Sequence, residues 1–142
     1  DMTLFFRRLC HVAGELASGR GSETALFEQL IEDTSYAAPG AQERENLHAW
    51  LHDYGRQLRQ LPASADEIQT EMLSANPKYV LRNYLAQQAI ESADEGDLST
   101  LGTLFEVLKN PFDEQPEHEI LAAKRPEWAR DRPGCATLSC SS

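Results

Sequence analysis

Apolar residues recur at helical spacing through the first three-quarters of the chain. Leu4, Phe5, Leu9, Val12 and Leu16 place an amphipathic helix over residues 2–17, closed by Ser18-Gly19-Arg20-Gly21-Ser22. Leu26, Leu30 and Ile31 mark a second helix, and Pro39-Gly40 ends that section. Leu47, Trp50, Leu51, Tyr54, Leu58 and Leu61 form one stripe on a third helix that Pro62 stops. Ser64-Ala65-Asp66-Glu67 reads as a capping box opening a short helix with Ile68 and Met72. Asn76-Pro77 is a strong start signal, since Asn caps free N–H groups and Pro at the first helical position forfeits no bond. The helix it predicts buries Val80, Leu81, Tyr84, Leu85 and Ala89. Gly96 can end it in the left-handed conformation, and Asp97 can cap the next, whose stripe is Leu98, Leu101, Leu104, Phe105 and Leu108. These last two helices are expected to pair as an antiparallel hairpin.

No segment alternates apolar and polar residues long enough to predict a strand. The expected fold class is all-α: a helical bundle or helical extension of about five or six helices, followed by a Pro-rich extended strap. The pattern changes at Asn110, because four of the seven prolines (Pro111, Pro116, Pro126, Pro133) fall after it. The expected organisation is therefore a helical domain over residues 1–109 and a strap with a loose tail over 110–142. A turn of helix at Pro126-Glu127-Trp128 is expected within the strap, with Phe112 and Trp128 as its anchors.

Charge narrows the partners. The 142 residues carry a net charge of −10, which repels phosphate backbones and argues against nucleic acid. No run of 18 apolar residues occurs, and no signal peptide is visible, so no membrane partner is expected. Three cysteines do not make a secreted disulfide framework, and a reducing cytoplasm is the expected compartment. The opening Asp1-Met2-Thr3-Leu4-Phe5-Phe6 already lies in apolar helical text, and is expected to continue a longer protein.

Candidate chemistry is sparse. His48 and His52 share a helix face at i, i+4, and a metal-binding bundle is one reading of them. Ala49 stands where a zincin has its Glu, and the alternative is a pair of surface histidines. Glu91, Asp94, Glu95 and Asp97 lack the spacing of a calcium loop and read as a solvated helix end. Lys78 and Arg82, i, i+4 on the predicted helix, could meet a phosphate, but without a glycine-rich loop they more readily pair with acids. Arg7 and Arg8 read as a solvated face. Cys10 is expected in the core. Cys140 sits three residues from the end on small, polar text. An exposed thiol there can reach another sulfur, Cys135 included, or be inert. No catalytic, cofactor-binding or metal residue is assigned.

Several segments resemble the selenoprotein O family. They are Asn76-Pro77-Lys78-Tyr79-Val80-Leu81-Arg82-Asn83-Tyr84-Leu85-Ala86-Gln87, Pro111-Phe112-Asp113-Glu114-Gln115-Pro116, Pro126-Glu127-Trp128-Ala129 and Ser139-Cys140-Ser141-Ser142. The opening Met2-Thr3-Leu4-Phe5-Phe6-Arg7-Arg8-Leu9 is similar too, whereas residues 17–70 match less distinctly. The resemblance implies a kinase-like parent that transfers AMP from ATP to hydroxyl side chains of proteins, with Mg or Mn, in the bacterial cytoplasm. Its catalytic residues would lie before Asp1, so no ATP or metal site falls in this fragment, which alone would be inactive. The implied partners are the kinase-like catalytic core of the same parent chain and the protein substrates. The resemblance further implies that Cys140, at the family's terminal Cys or selenocysteine position, is a redox-regulatory thiol pairing with the catalytic region. Family members with selenocysteine tend to have Cys-x-x-Sec; Thr137 stands at the upstream position here, which leaves a local disulfide in doubt. A helical protein-interaction module without catalysis is the alternative.

Overall fold

The computed structural model describes residues 1–135. Among them are six α-helices, two 3₁₀ helices and no strand, so the fold is all-α. The helices are α1 (Met2–Ser18), α2 (Glu23–Thr34), α3 (Ala41–Leu58), α4 (Ala65–Ala75), α5 (Asn83–Asp94) and α6 (Ser99–Lys109). The 3₁₀ helices span Pro116–Ala122 and Glu127–Ala129. The chain divides into two compact units, Asp1–Pro77 and Lys78–Ser142. The division thus lies at 77/78, whereas the composition change suggested 109/110. Residues 110–122 belong with α5 and α6 because they are hydrogen-bonded to the segment that precedes α5.

In the first unit α1 is central, packing on α2, α3 and α4. Its Leu9, Val12, Ala13 and Leu16 meet Leu26, Phe27, Leu30 and Ile31 of α2, Leu51 and Leu58 of α3, and Ile68 of α4. Local chemistry sets the helix ends. Asp1 accepts from the Leu4 N–H at 3.2 Å, and Gly19, at φ 67°, ends α1 in the left-handed conformation. Ser22 caps α2. The predicted capping box opens α4: the Glu67 N–H donates to Ser64 Oγ at 3.2 Å, and the Ser64 N–H donates to Glu67 Oε2 at 2.8 Å.

Two expectations for this unit are corrected. The α3 stripe is narrower than the sequence suggests: the helix stops at Leu58, Leu61 lies outside it and is exposed, and Trp50 is 41% exposed, stacked on Tyr54 at 5.2 Å. The buried line is Leu51, Gly55 and Leu58. A Cβ at Gly55 would meet Leu16 Cδ2 at 3.4 Å, so the glycine serves as a small contact point for α1. Arg7, expected to be solvated, is buried. Its Nη1 donates to the carbonyls of Leu73 (3.1 Å) and Asn76 (2.9 Å), at the end of α4 where carbonyls lack helical partners and a cation is favoured. Arg8 pairs with Asp33 at 2.9 Å.

In the second unit α5 and α6 form the expected hairpin, turning at Gly96 (φ 85°). The N-cap position of α6 is Leu98, not Asp97 as expected; Asp97, one residue earlier, accepts from the Ser99 N–H at 2.8 Å. The start of α5 differs from expectation. Residues 77–82 are not helical and α5 begins at Asn83. Asn76 closes α4, its backbone N–H and its Nδ2 both donating to the Met72 carbonyl (3.1 and 2.8 Å). The N–H groups of Lys78 and Tyr79 donate to Pro111 O (2.8 and 3.0 Å), which ties this extended segment to the strap. Tyr79 is consequently buried, while Leu81 is exposed. The strap is held by Ala122, Ala129 and Cys135, which are buried with α5 and α6 side chains. Phe112 and Trp128 stay partly exposed, Trp128 edge-on to Tyr84 at 6.2 Å. The 3₁₀ turn at Glu127–Ala129 points its alanine inward, so the small side chain anchors and the large one covers.

Two measurements check this description. Leu51→Ala should lower unfolding free energy by about 2–5 kcal/mol in urea titration, whereas Leu61→Ala should stay within about 0.5 kcal/mol; equal costs would mean that both residues belong to one buried stripe. The Glu67 carboxyl, held by the Ser64 backbone N–H and then by its hydroxyl, lies below the ordinary glutamate range. Its contribution is complete above the ordinary value and fades as pH falls through the lowered one. An NMR titration should place its midpoint below that of a free glutamate, and Ser64→Ala should raise it; an unmoved midpoint would refute the box.

Candidate functional site

The two segments that carry the strongest resemblance, at 76–87 and 111–116, are brought together in the second unit. Besides the two N–H groups bonded to Pro111 O, the Tyr79 hydroxyl donates to Gln115 O at 2.8 Å. The Gln115 amide in turn donates to the carbonyls of Val107 (3.1 Å) and Asn110 (2.9 Å), satisfying the end of α6. Lys78 Nζ, with its side chain only 11% exposed, contacts both Glu114 and Glu119 at 2.5 Å. Burial alone lowers the lysine pKa, but the hydrogen bonds and charges of the two glutamates outweigh it and leave the ammonium above its ordinary value. Lys78 is therefore a structural cation, engaged by acids, and no helix aligns it with Arg82. The arrangement is a clasp that fixes backbone, with no substrate-facing group of its own.

The remaining candidates fall apart as chemistry. His48 packs edge-on to the Phe27 ring at 5.0 Å, and His52 Nδ1 lies 3.0 Å from Glu23 Oε1. Among the described residues no group of three His, Cys, Asp or Glu side chains could hold a metal ion. Glu91 is bonded to Gln87 (2.9 Å) and Arg132 (2.6 Å), and Asp97 accepts from the Ser99 N–H, so that acidic group is a helix end. Cys10 is fully buried, as expected; burial pushes its thiol up, the nearby Arg7 charge offsets this only in part, and a protonated, enclosed thiol is a poor nucleophile. Cys135 is buried against the α5–α6 side chains. Cys140 lies outside the described residues.

One feature of the surface escaped the sequence reading. Leu98, Leu101 and Phe105, expected inside, are 63%, 51% and 63% exposed; α6 buries Leu104, as expected, and Val107. Leu101 and Phe105, with Leu81 and Ile90, leave an apolar groove of about 330 Å³ along α5 and α6. The available signal was an excess: α6 has more large apolar residues than one packed side can use. No helix among the described residues is long and apolar enough to cross a membrane.

Comparison with known proteins gives a consistent result. The family described as Protein adenylyltransferase SelO matches residues 1–109. The chain is 47% identical over 142 residues to the Protein nucleotidyltransferase YdiU of Xanthomonas campestris pv. campestris (strain B100), covering all of this chain and 26% of that protein. It is 45% identical to the protein of the same name from Nitrosospira multiformis, over 161 aligned residues, and 44% identical to that from Azoarcus sp. (strain BH72), again across its whole length. The chain thus spans about a quarter of the length of the curated relatives that it matches. It belongs to the SelO family of protein adenylyltransferases.

Proposed function

We propose that this chain is the carboxy-terminal, helical part of a longer protein adenylyltransferase, serving as a buttress for a kinase-like catalytic core that precedes it. The single observation that carries the reading is the match itself: every residue of the chain aligns with nucleotidyltransferases of which it covers only 26–28%. The whole protein would transfer AMP from ATP to Ser, Thr or Tyr hydroxyls of protein substrates. ATP and its divalent metal would be held by residues of the preceding part, and this chain contributes no ligand to them.

Cys140 would act as the redox-regulatory thiol. Cys135 is only 4% exposed, enclosed by Tyr84, Leu85, Ala89, Leu104 and Ala129, which makes it a poor exchange partner. This supports pairing of Cys140 with a thiol of the catalytic part over a local Cys135–Cys140 bond. Oxidation would join the two sulfurs with loss of two protons and two electrons to a disulfide oxidant, and a thiol reductant would reverse it.

The isolated chain should transfer no label from α-labelled ATP to protein, while the full-length polypeptide should do so; label transfer by the isolated chain would overturn the division of labour. In the full-length protein, Cys140→Ser should abolish the difference in activity between oxidised and reduced samples. A response that survives the substitution would remove Cys140 from the switch.

A further inference from the structure

The α5–α6 hairpin has two apolar sides and packs only one of them within its own unit. Tyr84, Leu85, Leu104 and Val107 face inward. On the other side Leu81, Ile90, Leu101 and Phe105 are each more than half exposed. They line one continuous groove whose nine bordering residues are all Ala, Leu, Ile or Phe, with no charged or hydrogen-bonding side chain. The cation nearest Phe105, Lys109, lies 4.8 Å from the ring centroid with its ammonium engaged by Glu106, so it shields the ring edge without making the groove polar. An apolar stripe this continuous is a mark of an interface.

We infer that this groove is the seat of an apolar helical segment from the rest of the same longer polypeptide, docked in cis. The inference rests on the reading proposed above and specifies its contact surface. Relatives that match this chain from end to end have roughly three-quarters of their length outside the match. A segment on the same polypeptide competes at an effective concentration of order mM, which a second copy at cellular concentration does not reach. A second copy also brings another −10 of charge to the encounter. The shape agrees, since two packed helices with exposed Leu, Ile and Phe ridges present a groove into which the ridge of a third helix fits. The absence of charge in the lining requires the occupant's contact side to be apolar as well, because a charge buried there would find no partner.

Hydroxyl-radical footprinting with mass spectrometry reads the exposure of Leu101 and Phe105 directly. It is run on the 142-residue chain and on the full-length polypeptide, each at a low and a high concentration. Labelling of both residues should be strong in the short chain and severalfold weaker in the full-length protein, with no dependence on concentration. Phe105→Glu in the full-length protein should restore labelling at Leu101. The same substitution should leave the thermal midpoint of the short chain nearly unchanged, because the side chain is exposed there. Equal labelling in both proteins overturns the inference. Protection that appears in the short chain and grows with concentration also overturns it, by making a second copy the occupant. AMP transfer measured on the same full-length sample separates the two claims: inactivity with protection intact defeats the adenylyltransferase reading and leaves the docking seat standing.

Discussion

The carbonyl oxygen of Pro111 accepts two consecutive backbone N–H groups, from Lys78 and Tyr79, and the course of the second unit follows from that junction. A carbonyl has two lone pairs, so it can serve both donors. The segment before α5 is tied to the strap, Tyr79 is delivered among Val107 and Ala122, and α5 begins at Asn83. Magnitudes assign the roles. Two neutral backbone bonds contribute on the order of 1 kcal/mol each. Burying a large aromatic side chain contributes on the order of 2–3 kcal/mol. The hydrogen bonds therefore give the junction its register and Tyr79 gives it most of its strength. Lys78 adds a further constraint: with both glutamates present it is satisfied, and removing them would strand a nearly enclosed ammonium, which costs more than the pair contributes.

What could be read from the sequence is what short-range chemistry decides. The ends of α1, the capping box that opens α4 and the Gly96 turn each involve residues within a few positions of one another, and each is found where the pattern puts it. Asn76-Pro77 shows the limit. As a local signal it starts a helix, yet the partner of the segment that follows, Pro111, is more than thirty residues away and invisible to any window. Asn76 does bond a helix, but the one behind it. Arg7 fails for the same reason: its burial is explained by the carbonyls of Leu73 and Asn76, which come beside it only through the packing of α1 on α4.

Periodicity also says which residues share a side without saying how many a neighbour can cover. On α3 the contact with α1 is narrow, so Gly55 belongs to it and Trp50 does not. On α6 the inward line is Leu104 and Val107; of the expected stripe Leu104 is buried, whereas Leu98, Leu101 and Phe105 are exposed. The candidate chemistry was correspondingly uneven. Cys10 was legible because a cysteine beside an apolar stripe follows that stripe inside. The clasp of Lys78 with Glu114 and Glu119 was not, because the sequence could offer acids in general but not these two.

The groups whose pKa is shifted are each engaged in holding the fold together. A general acid or base is effective when its pKa is moved towards the working pH. Cys10, Tyr54, Lys78, Glu67 and Asp97 are each moved away from neutrality. Cys10 and Tyr54 are pushed up by burial. Lys78 is raised because its two glutamates overcome burial. Glu67 and Asp97 are lowered by the N–H groups that they accept from. Each shift secures the protonation state that the fold uses, so these groups behave as fasteners at neutral pH. The proposed docking rests on the other kind of surface this unit has, an open apolar groove in which contact area rather than charge would supply the affinity, with Lys109 beside Phe105 already engaged by Glu106.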